Sequence, residues 1–345
     1  MVNKLNLCKK KRGSCVWSLL QQDILWIVIE RLDLIDCHCL SAVCRNWRSA
    51  CKNYCTLRSF QMPKDRIPWL MLRKTQPNSM VEFYRPTTNK THKIHLPQLF
   101  ATFCLYSKDG WLLLRPYTNH KFFLLNLFTN EKVDLPELHM DREIFILKGT
   151  FSTHLKSPNC VIVATSTTLC PLGPTYRIYG WTSGATTYWK EYKLSGPHAY
   201  ISGIWLSDNQ FYHFNKFGTE GFVFDMDLNL KSSISLSKRT NSSYNMIVCE
   251  NELLAFSEDA LDVYRFDPCV MDWVTVDSRN LICFLGKVNR DTSFMIREEE
   301  SQVQSLLNHF INNGCYKERR QGPVIFVYDS METPYANQTN WINVG

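Results

Sequence analysis

A unit of two short strands keeps returning along most of this 345-residue chain, and that repetition constrains the fold more than any other feature. Each copy is an aromatic- or β-branched-rich run, a turn of Asn, Asp, Pro, Gly or Thr, and a second run ending near a polar residue. The copies occupy 81–97, 122–136, 177–194, 221–236, 261–277 and 324–344. An apolar strand precedes each: Trp69–Leu72, Trp111–Leu114, Cys160–Val163, Gln210–His213, Glu252–Ala255 and Ser293–Ile296. The turns share a chemistry that reverses a chain, as in Phe128-Thr129-Asn130 and Asp267-Pro268. An uneven period of roughly 40–55 residues falls near that of propeller blades. Six units of about four strands predict a β-propeller of about six blades, with a β-sandwich as the alternative.

One segment interrupts the repeats. Over 297–313, Val303, Leu306, Leu307 and Phe310 fall at helical spacing. This predicts a helical insertion, either packed on the propeller edge or offered to a partner.

The N-terminal part reads differently. Leu20, Ile24, Ile27, Val28 and Leu32 recur at three- and four-residue spacing, so a helix there carries one apolar stripe. Ser18 is placed to cap it, and Asp23 suits the positive end of its dipole. After a break at 33–36, with Asp36 as the next cap, Leu40, Val43, Cys44, Trp47 and Cys51 repeat the spacing in a second helix. Helices this short bury little surface alone. Pattern leaves two readings open: the stripes face each other and the rest of the chain, or a partner covers part of them.

Charge is concentrated at the same end. The first 60 residues hold ten Lys or Arg and four Asp or Glu, and so carry six of the seven net positive charges. The β-region is thus nearly neutral, which argues against an extended nucleic-acid surface. The run Lys9-Lys10-Lys11-Arg12 reads either as an import signal or as a solvated arm. No apolar run reaches the length of a membrane span and no secretory h-region is present, so the expected location is intracellular, in the nucleus and/or cytoplasm.

Fourteen cysteines raise the question of metal. Cys37, His38, Cys39, Cys44, Cys51 and Cys55 are close in sequence, but they lack a Cys-x-x-Cys pair and fall mostly along one predicted helix. Zinc is therefore not expected, and no other cofactor is implied. Most other cysteines sit in apolar segments, where a thiol packs as a small hydrophobe. The histidines are scattered singly, and no Gly-x-Ser-x-Gly, His-Glu-x-x-His or phosphate-binding glycine loop occurs. No catalytic or metal-binding residues are assigned.

The segment WSLLQQDILWIVIERLDLIDCHCLSAVCRNWRSAC resembles the F-box. The match is carried by Leu19-Leu20 before Asp23, the run Ile29-Glu30-Arg31-Leu32, and Ala42-Val43-Cys44-Arg45-Asn46-Trp47-Arg48. Gln21 departs from it, standing where many members carry proline, a change that bears on adaptor affinity rather than on the fold. The β-region in turn resembles the plant F-box-associated propellers of the KIB type, through Asp109-Gly110-Trp111-Leu112-Leu113, Asn126-x-Phe128-Thr129 before Val133-Asp134-Leu135-Pro136, and Phe284-Leu285-Gly286 before Ser293-Phe294.

The resemblance implies a mostly β chain: a basic disordered arm at 1–14, a small α-helical F-box at 15–60 and a propeller at 65–345. It implies that the helices dock to a Skp-type adaptor and through it to a cullin ligase core, through Leu19, Leu20, Ile24, Val28, Leu40, Val43 and Trp47. The propeller would capture a protein substrate. Two alternatives stand beside this. One is a binding module independent of the ligase, its helices folded back as a lid; the other is a propeller enzyme acting on a small molecule.

Overall fold

The computed structural model describes residues 16–57, 69–73, 80–85, 88, 90–139, 144–152, 160–170, 173–184, 187–195, 201–215, 217–235, 244–249, 252–256, 263–277, 281–285, 294–297, 324–327 and 339–342. The basic run 9–12 and the helical insertion expected after Arg297 lie outside them.

The described residues open on a short 3-10 turn, Val16–Leu19, and three helices: α1 (Gln22–Ile29), α2 (Leu34–Val43) and α3 (Arg45–Leu57). What spacing suggested as one second helix is two, because Cys44 is extended (φ −160°, ψ 175°) and ends α2. The caps also differ from expectation. Ser18 belongs to the 3-10 turn, and α1 begins after Gln21, whose side chain makes no cap bond. Asp33, not Asp36, caps α2: its carboxylate accepts from Asp36 N at 2.9 Å, and Asp36 falls in the first turn. Either aspartate could cap; the apolar residue that must enter the core decides, and Leu34, 0% exposed, brings the helix start forward.

Among the described residues the strands form six sheets. The first holds β1 (Trp69–Arg73), β2 (Met80–Arg85) and β3 (Lys90–His95). The second holds β4 (Thr102–Lys108), β5 (Trp111–Pro116), β6 (Phe123–Asn126) and β7 (Lys132–Asp134). The third runs β8 (Ile144–Phe151), β9 (Val161–Cys170), β10 (Gly173–Thr182) and β11 (Lys190–Ser195). The fourth runs β12 (Ile201–Ser207), β13 (Gln210–Asn215), β14 (Glu220–Asp225) and β15 (Leu230–Ser235). The fifth runs β16 (Asn245–Cys249), β17 (Glu252–Phe256), β18 (Val263–Asp267) and β19 (Asp272–Val276). The sixth comprises β20 (Leu281–Leu285), β21 (Phe294–Arg297) and β22 (Val324–Val327), and β23 (Thr339–Ile342) ends the chain.

Sheets two to five are antiparallel meanders in sequence order. Neighbouring sheets touch along β23, β4, β8, β12, β16 and β21, which places those strands innermost. That is a six-bladed β-propeller. Five of the repeated units are the outer hairpins of blades one to five. The sixth divides: β22 joins the sixth sheet, parallel to β20, whereas β23 pairs antiparallel with β1, Leu70 opposite Trp341. The last strand thus completes the first blade and removes an edge that would otherwise be open.

The turn chemistry works as its residues require. Asn126, Asp225 and Asp267 each end the third strand of a blade, and each side chain accepts from the backbone two residues on, at Phe128, Asp227 and Cys269. Asp109 and Gly110 (φ 50° and 73°) make the tight turn between β4 and β5. A Cβ on Gly110 would stand 2.0 Å from the Phe128 ring, so this turn and the Asn126 turn are packed against each other.

Candidate functional site

The helical module has two apolar sides, and they go to different places. Leu25, Ile29, Leu34, Cys37, Leu40 and Cys51 are buried in one continuous core with Trp69, Met71, Phe83, Leu112, Leu125 and Phe128 of blades one and two. Cys37 and Cys51 therefore act as packing residues. Polar contacts follow the same seam. Arg85 Nη1 donates to Asp33 Oδ2 at 2.8 Å, His38 lies beside the backbone of Leu127, and Lys52 lies 3.9 Å from Glu131. Burial lowers the His38 pKa. Leu127 and Glu131 belong to the turn between β6 and β7, on the same end of blade two as the Asp109-Gly110 turn. The helices thus sit on one defined end of the propeller.

Of the two covers that pattern left open for the apolar stripes, the rest of the chain thus takes one side of the module. This packing also shows which side of α1 is core, a choice that spacing left open. The core-facing residues are Leu25 and Ile29, with Trp26 packed beside them and its indole donating to Ala50 O at 3.2 Å. The stripe read from spacing, Ile24, Ile27 and Val28, faces outward.

That outward side carries four of the seven residues singled out from sequence: Leu19 is 69% exposed, Val43 60%, Ile24 47% and Val28 38%. Leu20 and Trp47 are half-buried against the helical core. Leu40, at 4% exposed, is a core residue and offers no surface; its position on α2 opposite α3 places it inside. Trp17 and Ile27 are exposed as well and complete the apolar set; Ile27 was part of the stripe read from spacing, whereas nothing in the spacing pointed to Trp17. Ile24, Ile27 and Val28 share one face of α1 by their three- and four-residue separation.

The N-terminal turn is fastened by α3. Asn46 Nδ2 donates to the carbonyls of Ser18 (3.1 Å) and Leu20 (3.0 Å), and Trp47 Nε1 donates to Trp17 O at 2.7 Å. Arg48 Nε donates to Ser41 O at 2.9 Å and ties α3 back to α2. Asn46 and Trp47 therefore clamp the turn that carries Trp17 and Leu19, whose side chains stay in solvent. Such exposed Trp, Leu, Ile and Val side chains can bury apolar area against another protein.

Fold and face together define a helical module with one exposed apolar side, built into one end of a β-propeller. Residues 17–59 match the F-box domain, and residues 83–309, about two-thirds of the chain, match the KIB1-4 beta-propeller. The chain belongs to the KIB1-4 β-propeller family and carries an F-box at its N-terminal end. It is 33% identical over 140 residues to the F-box protein At3g56470 of Arabidopsis thaliana, covering 41% of this chain and 35% of that protein. It is also 33% identical over 148 residues to the F-box/kelch-repeat protein At1g57790 of the same plant, covering 43% and 39%. The aligned region thus spans well under half of either relative. Among solved structures, a streptogramin B lyase superposes with a TM-score of 0.38 at 15% identity, covering 61% of this chain and 73% of that one.

Proposed function

We propose that this chain is the substrate-recognition subunit of an SCF-type ubiquitin ligase, working in the nucleus and/or cytoplasm. The F-box docks to a Skp-type adaptor, the adaptor joins it to a cullin core, and the propeller captures a target protein. The chain performs no bond chemistry itself. It acts by effective concentration, holding a substrate lysine near the charged conjugating enzyme. The observation that carries this reading is the outward face of Leu19, Ile24, Val28 and Val43, on a module whose other side is fixed to the propeller. A partner is the simplest cover for that face, and the F-box match makes a Skp-type adaptor the first candidate.

The test is co-purification of the intact chain with a Skp-type adaptor, beside the same chain carrying Ile24→Asp and Val43→Asp. Capture by the parent and not by the double variant is expected. Failure of the parent, under conditions where other F-box proteins capture the adaptor, overturns the proposal.

A second reading is favoured by the shared core: the helices serve as a structural end-cap of a ligase-independent binding module. It predicts that the two aspartate substitutions leave the protein's interactions unchanged.

A further inference from the structure

The opposite end of blade two holds a group that the helical module does not touch. Here the inner strand β4 begins, β5 ends, and the loop to β6 starts, all at the end of the blade remote from the turns that meet the helices. Tyr117 N donates to Ala101 O at 2.8 Å, closing the loop before β4 against the end of β5. Phe103 lies opposite Arg115 in the β4–β5 register, and the Phe103 and Tyr117 rings stand 4.3 Å apart. Phe100, Phe103 and Tyr117 are 49%, 39% and 41% exposed, an aromatic surface at the mouth of the innermost strand.

Arg115 lies over this surface, its guanidinium carbon 4.7 Å from the Phe103 ring centre. The side chain is half-buried, and among the described residues its buried Nε has no hydrogen-bond partner. Nη1 reaches only the carbonyl of Pro116, at a long 3.4 Å. Among the described residues no carboxylate pairs with it: nearby Glu137 is held by Lys121 at 3.3 Å. His120, in the same loop, feels the positive charge of Arg115. A guanidinium offers five donors in a planar fork matched to a carboxylate, and leaving that fork unfilled while partly desolvated is costly. Aromatic residues and Arg are also the residue types that anchor protein interfaces.

We propose that Phe100, Phe103, Arg115 and Tyr117 form a docking site for an acidic peptide segment of a partner protein, an aspartate or glutamate beside an aromatic residue. The carboxylate fills the Arg115 fork, and the neighbouring aromatic side chain packs on Phe103 and Tyr117. The occupant is assigned by charge complementarity, since the unsatisfied group is a cation and its platform is aromatic. As the capture surface of the propeller, this rests on the recognition role proposed above. Its position at the end of the blade away from the F-box leaves both surfaces free at once.

The experiment selects a random nonapeptide library displayed on phage against the immobilised intact chain, and then measures enriched peptides by fluorescence anisotropy. Enrichment of Asp or Glu within two residues of an aromatic position is expected. Replacing that acid by its amide, or Arg115 by Gln, should weaken binding about tenfold or more, as losing a charge-assisted hydrogen bond does. Tyr117→Ser, at an exposed position, should weaken it with an unchanged melting temperature, so a folding defect in Arg115→Gln would not hide the result. Selection without acidic residues, binding only of phosphorylated versions, or peptide affinity insensitive to both substitutions would overturn the site. Adaptor co-purification is scored separately on the same variants. Peptide binding without adaptor capture removes the ligase reading and leaves the site; adaptor capture without acidic-peptide binding does the reverse.

Discussion

Asp33 uses its two carboxylate oxygens for two different jobs: Oδ1 accepts from Asp36 N and caps α2, while Oδ2 receives Arg85 Nη1 of the first blade at 2.8 Å. Local helix formation and attachment of the helices to the propeller therefore meet in one side chain. The pair is partly shielded, with side chains 23% and 21% exposed, so it is screened less than a surface ion pair but keeps contact with water.

These two jobs separate by substitution. Asp33→Asn keeps an oxygen for the cap and loses the charge opposite Arg85; Asp33→Ala loses both. The alanine variant should cost about 1–2 kcal/mol and the asparagine variant less, given typical values for an N-cap. A thermal-melt double-mutant cycle with Arg85→Ala checks it, a coupling energy indistinguishable from zero meaning that the ion pair is idle.

The two sides of α1 should respond in opposite ways. Leu25→Ala removes a fully buried side chain from the shared core and should destabilise the protein by about 2–5 kcal/mol. Ile24→Ala and Val28→Ala, both exposed, should change stability by no more than about 0.5 kcal/mol while weakening adaptor capture. Denaturant melts paired with a pull-down read both effects. An adaptor affinity that follows the melting temperature across all three would mean that the outward face makes no contact.

The contrast between those stripes also shows how far the sequence could be read. Alternating strands and Asx turns such as those at Asn126 and Asp267 are local, so blade hairpins were legible from composition and spacing. The helical residue types were legible too. Which stripe of α1 faces the core was not, because QDILWIVI is apolar on more than one side and only long-range packing on Trp69 and Phe128 chooses between them. The pairing of β23 with β1 joins the first and last described strands of the β-region, and nothing near either strand announces it. The Arg115 platform was missed for the same reason. Its members come from a loop and two strand ends, and each alone reads as an ordinary surface residue.

A buried histidine gives the propeller an acid dependence. His213 on β13 is 2% exposed, neither ring nitrogen has a hydrogen-bond partner among the described residues, and burial, with a smaller push from Lys148, lowers its pKa from 6.5 to about 3. The folded state therefore holds the neutral ring, and the unfolded chain binds a proton first. Stability is complete above pH 6.5 and falls as pH drops from there toward 3, by at most about 1.4 kcal/mol per pH unit from this group. His213→Phe should flatten that part of the melting-temperature profile. A profile that keeps its slope would assign the loss to other groups, His38 at the helix seam among them.

Gln21, the one departure from the F-box pattern, stands in a backbone that already suits proline. Its φ of −65° and ψ of 150° match the angle a pyrrolidine ring imposes, and in the described hydrogen bonds it contributes its carbonyl, to Leu25 N at 3.2 Å. The helix start is thus held without proline by packing and by the Asn46 clamp on Leu20 O. Gln21→Pro should fit without strain and restrict the unfolded chain, raising stability by about 0.4–1 kcal/mol. By stiffening the turn that carries Leu19 it should also tighten adaptor binding, chiefly through slower dissociation. Surface plasmon resonance of both chains against the adaptor, with parallel melts, tests this. A stabilised variant with unchanged dissociation would show that the turn is already rigid in the parent, and a destabilised one that the Gln21 N–H is needed.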